Sequence, residues 1–428
     1  MKKNSQKIST QSSGNQADIS KSRGSKNIVY STAKRNRKKI NFAVISALTV
    51  VLLVVAVIAI AMGPYNEKGL EYTVNEDGTT CTVTGVGTCI VKRIQIPEYM
   101  DGYKVTAIGK NLFYGYGSRG NKDEGPVYSK LREITLPDSV TVIGSGAFYG
   151  CNQLKTVEIP SSLKTLGTAA FYNCEKLEEI VLPDSLQQLG EAVFYNCQSL
   201  KSMTIPDTIT EIGQGMFYDC MALSEVKFSS DVTKIGALAF YGCSSLKEFV
   251  IPSGVTEIAD WTFAHCASLQ KVTVPDGITR IGERAFSSCV SLESIYIPFG
   301  VTEIVNHAFF ECKKLTEITI PDSVTTIGVY AFNDCFALET LTISASLEEI
   351  QDRTFDGCLA LQTIEIPVSV KKLGVAVLAG AGIKTVCYEG TVAQWNAMEK
   401  SENWFAVTDL TEVICSDGTV TIKTASAE

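Results

Sequence analysis

From about residue 131 onward, apolar and polar positions repeat with a period of 23 residues. Each period reads L-x-x-V-x-I-P-x-x-V-x-x-I-G-x-x-A-F-x-x-C. Cysteine stands at 151, 174, 197, 220, 243, 266, 289, 312, 335 and 358, always 23 apart. A phenylalanine lies three residues before each of them, from Phe148 to Phe355, and a leucine three residues after, from Leu154 to Leu361. Proline closes nearly every "I-x-I" segment, with Ser229 and Ser344 in its place in two units. A fixed period of this length is the mark of a repeat architecture, whose units bury a continuous core only by stacking.

Within a unit, "TVEIP" (156–160) alternates polar and apolar residues and then meets a proline. That predicts a short strand with Val157 and Ile159 facing inward, ended because proline cannot donate to a ladder. The glycine after the second aliphatic suits a turn with positive φ or a close backbone approach. "A-F-x-x-C" is too short for a full helix and predicts a turn of α- or 3₁₀-helix. Stacked units would form a parallel sheet, and about 11 turns at ~4.8 Å give a length on the order of 50 Å.

These residues resemble the leucine-rich repeat, in the 23-residue variety of the BspA-like bacterial surface proteins. The units "IPDTITEIGQGMFYDCMAL" and "IPDSVTTIGVYAFNDCFAL" carry the resemblance, which covers about residues 68–422. The expected fold is an α/β leucine-rich-repeat solenoid, mainly short parallel strands with turns or 3₁₀ and short helices on the other side. The resemblance implies a cell-surface protein that binds other proteins and has no enzyme activity. "LEYTVNEDGTTCTVTGVGTC" looks like an N-terminal hairpin, with Cys81 and Cys89 nearly opposite each other and a disulfide between them left open. "GYGSRGNKDEGPVYSK" (115–130) carries an insertion of about 12 residues. At the other end, "TVAQW" (391–395) offers a capping box and "CSDGTV" (415–420) an Asp-Gly hairpin turn.

Charge separates the N-terminus from this body. Residues 1–39 hold 11 Lys/Arg and one acid, whereas the rest is strongly acidic and the whole chain carries −8. An acidic body argues against a nucleic-acid partner. "KRNRKK" is followed by the uncharged run Phe42–Met62, whose 21 residues would span about 31 Å as a helix, matching a bilayer core. The basic flank places that end in the cytoplasm and the repeats outside. The expected organisation is a disordered basic cytoplasmic tail (1–39), a transmembrane signal-anchor helix (40–63), and an N-terminal cap hairpin with an irregular first repeat and insertion (64–130). Regular repeats (131–383) and a C-terminal cap (384–428) follow. The "AIA" at 59–61 keeps the alternative of secretion after signal cleavage open.

The cysteines invite a chemical reading, yet a 23-residue interval lacks the clustering a metal site needs. His265 and Cys266 are adjacent and point opposite ways, which excludes a nucleophilic pair. No catalytic, metal or cofactor residues are assigned, and the rung cysteines are read as small apolar core fillers. Partner contacts are expected elsewhere. Two residues before each phenylalanine the second half of the chain carries Trp261, Arg284, His307, Tyr330 and Arg353, where the first half has Gly146, Ala169, Ala192, Gly215 and Leu238. Trp, Tyr and Arg are the types enriched at binding hot spots. Tyr296, in an outward strand column, is a further candidate anchor. The expected partner is a protein, and the expected attachment to the membrane is through the N-terminal helix.

Overall fold

The structure is a computed structural model, and it describes residues 69–86, 92–114, 131–401, 403–406 and 408–422. The expected tail, the anchor helix at 40–63, the insertion at 115–130 and Cys89 lie outside the described residues. No helix among the described residues is long and apolar enough to cross a membrane.

The chain coils into a parallel β-solenoid with two strand ribbons, where the sequence predicted one. The first ribbon uses the expected "x-V-x" strands, such as Thr156–Glu158, which pairs in register with Glu133–Thr135 and Glu179–Ile180. The second uses two-residue strands just before the glycine, such as Thr165–Leu166 between Val142–Ile143 and Gln188–Leu189. Proline separates the two within a rung. The Pro160 carbonyl accepts the Leu163 amide at 3.0 Å and closes a turn toward the second ribbon. Among the described residues the first ribbon has 14 parallel strands, three more than the regular units supply. The additional strands Arg93–Gln95, Thr385–Tyr388 and Glu412–Cys415 come from the caps, which continue the ladder before closing it.

The "A-F-x-x-C" segment contains no helix. It forms a third ladder in which alternate amides point in different directions. Phe148, Gly146 and Gly150 donate to Ala170, Thr168 and Tyr172 on the next rung, while Ala147, Tyr149 and Cys151 bond back three residues within their own turn. A helix would turn every amide inward along its own axis and forfeit the contacts between rungs. The α/β expectation is therefore corrected: the one α-helix among the described residues is α1, Val392–Ala397, in the C-terminal cap. Thr391 and Gln394 form the capping box that begins it, and Trp395 is buried beneath it.

The core follows the repeat. Phe113 to Phe355 stack as one spine with ring centroids 4.9–5.9 Å apart. Each buried ring contributes about 1.5–3 kcal/mol of transfer free energy. The ten rung cysteines are buried free thiols. Each Sγ faces the carbonyl of the preceding rung's phenylalanine, as Cys335 does Phe309 at 3.3 Å and Cys220 does Phe194 at 3.1 Å. Burial pushes these thiols up, Cys266 to about 12, so they stay protonated and able to donate.

Three local expectations narrow or change. The repeat glycine does not adopt positive φ. A Cβ on Gly190 would meet the Thr168 backbone nitrogen at 2.3 Å, so close approach of rungs is the reason for it. The N-terminal hairpin joins Glu71–Val74 to Thr80–Gly85 around "NEDG", and Cys81 is a buried free thiol in its second strand. The closing hairpin turns at Ser416 and Asp417, with Gly418 already in the strand.

Candidate functional site

The turn ladder explains the variable column. For its amides to alternate in direction, the backbone must enter the left-handed region twice per rung. It does so two residues before each phenylalanine and two after. The later position is filled by residues that tolerate this conformation, such as Gly150, Asn173, Asn196, Asp219 and Gly242. The earlier position is left-handed in every rung, from Gly146 (φ 64°) and Ala169 (φ 55°) to Ala376 (φ 54°).

The five candidates occupy that strained position. Trp261 (φ 61°), Arg284 (φ 52°), His307 (φ 58°), Tyr330 (φ 59°) and Arg353 (φ 54°) are left-handed on five successive rungs. A Cβ there costs roughly 1–2 kcal/mol per residue relative to the right-handed conformation. Each amide donates to the next rung, as Trp261 does to Glu283 at 2.7 Å and His307 to Val329 at 3.0 Å. Between alternate rungs Asp260, Asn306 and Asp352, each just before a stripe residue, accept from the amides of Glu283, Val329 and Val375 at 2.8, 3.0 and 2.7 Å. Sequence reading passed over these three Asx residues, although their 46-residue spacing is visible in the chain.

The side chains meet along the solenoid axis. The Arg284 guanidinium lies 4.6 Å from the Trp261 ring centroid. His307 stacks on Tyr330, and Arg353 sits 5.8 Å over the other side of that ring. In the first half the neighbouring column fills the same space. Tyr149, Tyr172, Tyr195, Tyr218 and Tyr241 stack with centroids 4.2–4.5 Å apart, and a Cβ on Gly215 would sit 3.4 Å from Tyr195 Cδ2. Tyr241 then abuts Trp261 at 6.1 Å, where the bulky column changes places.

Electrostatically the stripe is partly matched. Arg353 pairs with Asp356 at 3.0 Å, and Arg284 Nε lies 3.8 Å from Glu283. Burial lowers the His307 imidazole below its ordinary value, the Arg284 cation lowers it further, and Glu283 opposes both. His307 Nδ1 and Arg284 Nε are buried without a hydrogen-bond partner. Tyr296 is not part of this group. It stands on the first ribbon, 53% exposed, with its hydroxyl 3.5 Å from Asp276.

A stacked-rung scaffold with one repeating core defines a solenoid of the leucine-rich-repeat class. The chain belongs to the BspA type leucine rich repeat family, whose model matches residues 127–247, 165–293, 216–335, 279–398 and 325–426. Among solved structures it is similar to a leucine rich cell surface protein from Faecalibacterium prausnitzii A2-165, at 28% identity and a TM-score of 0.55, covering 79% of this chain and 98% of that one. It is also similar to a leucine-rich repeat protein from Bacteroides ovatus ATCC 8483, at 26% identity and a TM-score of 0.57, covering 81% of this chain and 99% of that one. No curated protein matches the chain.

Proposed function

We propose that this chain is a membrane-anchored module displayed on the cell surface, that it binds or adheres to another protein, and that the Trp261–Arg353 stripe is its contact surface. The apolar run Phe42–Met62 would hold it in the membrane with the acidic repeats outside. Similarity to a leucine rich cell surface protein from Faecalibacterium prausnitzii supports that location.

The observation that carries the reading is the run of five large left-handed residues. Glycine would be the unstrained choice at each, as Gly146 and Gly215 are in the same column. Strain kept on successive rungs, with side chains of the types that anchor interfaces, points to a use beyond folding.

The alternative is an envelope spacer with no specific ligand. It is favoured by the internal pairing of Arg284 with Glu283 and of Arg353 with Asp356, which leaves little net charge to offer a partner. Pull-downs of surface proteins at moderate salt, with the full chain and with Trp261→Ala and Tyr330→Ala, separate the two. A binder retains a defined partner, and truncating a hot-spot anchor worth about 2 kcal/mol weakens it roughly 30-fold. Equal retention by both variants would defeat the stripe assignment, and no retained partner would favour the spacer.

A further inference from the structure

Strand pairing is interrupted at three gaps of this solenoid, and one of them carries a cleft. Between the rung at 225–236 and the rung at 248–259, strands Glu225–Lys227 and Glu248–Val250 do not pair, nor do Lys234–Ile235 and Glu257–Ile258. Neighbouring gaps show what is missing. Before it, Ser224 donates to Lys201 and Ile205 to Lys227; after it, Gln270 donates to Lys247 and Ile251 to Thr273. At this gap the Ser224 carbonyl and Phe228 amide on one wall, and the Lys247 amide and Val250 carbonyl on the other, have no protein partner. The turn ladder nonetheless stays closed, through Leu238 to Asp260, Phe240 to Thr262 and Gly242 to Ala264 at 3.1, 2.9 and 2.8 Å. The rungs are thus splayed about their phenylalanine edge, and a cleft of about 870 Å³ opens between the strands.

Side-chain volume sets this gap apart from the other two. Phe249 fills a slot that other rungs give to Val, Ile, Met or Leu, and it stands edge-on to Phe240 and Phe263 at 4.8 Å from each. Phe228 adds a second ring 5.6 Å away, in a unit that also lacks the strand-ending proline. Overpacked rings in a close-packed core are relieved by moving the backbone. One consequence is that Val226 and Phe228 are only half-buried, whereas Val157, Met203 and Ile205 at equivalent positions are buried.

We propose that this cleft is a second binding site, and that its occupant is an extended, uncharged segment of a partner polypeptide added as a strand between the two walls. Two facing strand edges with free amides and carbonyls fit a backbone that repeats donor and acceptor, which is the chemistry of strand addition. Each wall carries one acid and one lysine, Glu225 with Lys227 and Lys247 with Glu248, so neither wall selects a charged occupant. The four residues 225–228 at ~3.3 Å each fit a segment of about four residues, with an apolar side chain over Phe228.

The probe is a fluorescein-labelled, end-blocked peptide of residues 340–346, TLTISAS, an uncharged strand of this ladder itself. With the full chain it should give a saturable rise in anisotropy. Methylation of alternate peptide amides should weaken binding at least about tenfold, since only backbone bonding is removed. Phe249→Val, which restores the repeat's ordinary residue, should close the gap and abolish binding. Trp261→Ala and Tyr330→Ala should leave it unchanged, which keeps this site separate from the stripe. Amides of 225–228 and 247–251 should exchange faster than those of flanking rungs and slow when the peptide is added. No binding, equal binding of the methylated peptide, or native protection of both strands in the free protein would overturn the proposal. So would protection that grows with protein concentration alone, because a second copy would then be the occupant.

Discussion

The imidazole of His307 lies flat on the phenol of Tyr330, centroids 4.9 Å apart and planes 6° apart, on consecutive rungs of the solenoid. Both residues are left-handed, so the stack is held by backbone that neither side chain would choose alone. The stripe therefore persists because the solenoid enforces it, and its energetics can be tested one residue at a time.

At Tyr330 the usual order of small residues should invert. In most positions alanine is at least as favourable as glycine, but at φ 59° the methyl group is penalised. Tyr330→Gly is expected to be more stable than Tyr330→Ala by about 1 kcal/mol. Denaturant midpoints of the two variants check this, and equal midpoints would contradict the left-handed assignment.

His307 should make stability depend on pH near neutrality. Its folded-state value lies below the ordinary 6.5, owing first to burial and then to Arg284, so the unfolded chain takes up the proton more readily. Its contribution is full above the unfolded value and is lost as pH falls through 6.5 and on below the folded value. Melting temperatures at pH 7.5 and 5.5 should therefore differ more for the parent chain than for His307→Gln. An identical difference in both would remove His307 as the source.

A repeat glycine and a turn glycine should not behave alike. Gly190→Ala forces a Cβ against the Thr168 backbone at 2.3 Å, whereas Gly277→Ala meets its nearest atom at 3.6 Å with no positive φ. The first should cost several kcal/mol through rung displacement. The second should be neutral or stabilising by about 0.4–1 kcal/mol through the unfolded chain. Thermal melts of the pair distinguish a packing role from a turn role.

The rung cysteines should be silent toward thiol reagents in the native protein. They are fully buried, and burial first, then nearby Asp334, keeps Cys335 and Cys358 protonated, whereas Cys387 is half-exposed. Reaction with a disulfide reagent should label Cys387 promptly and the rung thiols only as fast as the chain unfolds. Cys335→Ser, which keeps a donor toward the Phe309 carbonyl, should cost less than Cys335→Val, which does not.

In the C-terminal cap, Thr391→Ala removes the side chain that accepts the Gln394 amide. A loss of about 1 kcal/mol is expected, read as a lower melting temperature with an unchanged fold.

Much of this fold was legible from residue spacing. Phe332, Cys335 and Leu338 recur at a fixed interval because one rung must present the same shape to the next, and a rung has little room to vary inside. The same regularity marked Trp261, Arg284, His307, Tyr330 and Arg353 as the residues released from it. Spacing could not reveal that their position is left-handed. The sign of φ there is set by amides that must point to the neighbouring rung at the turn edge, a demand of stacking that no single unit contains. Nor could it reveal the cleft. Ser229, Phe228 and Phe249 were visible as irregularities, but whether two extra rings are absorbed or part the strands depends on rings from two rungs competing for one volume. The chain alone determined what repeats and what fills the core; only the stacked structure decided where the backbone is strained and where the ladder opens, because both arise between rungs.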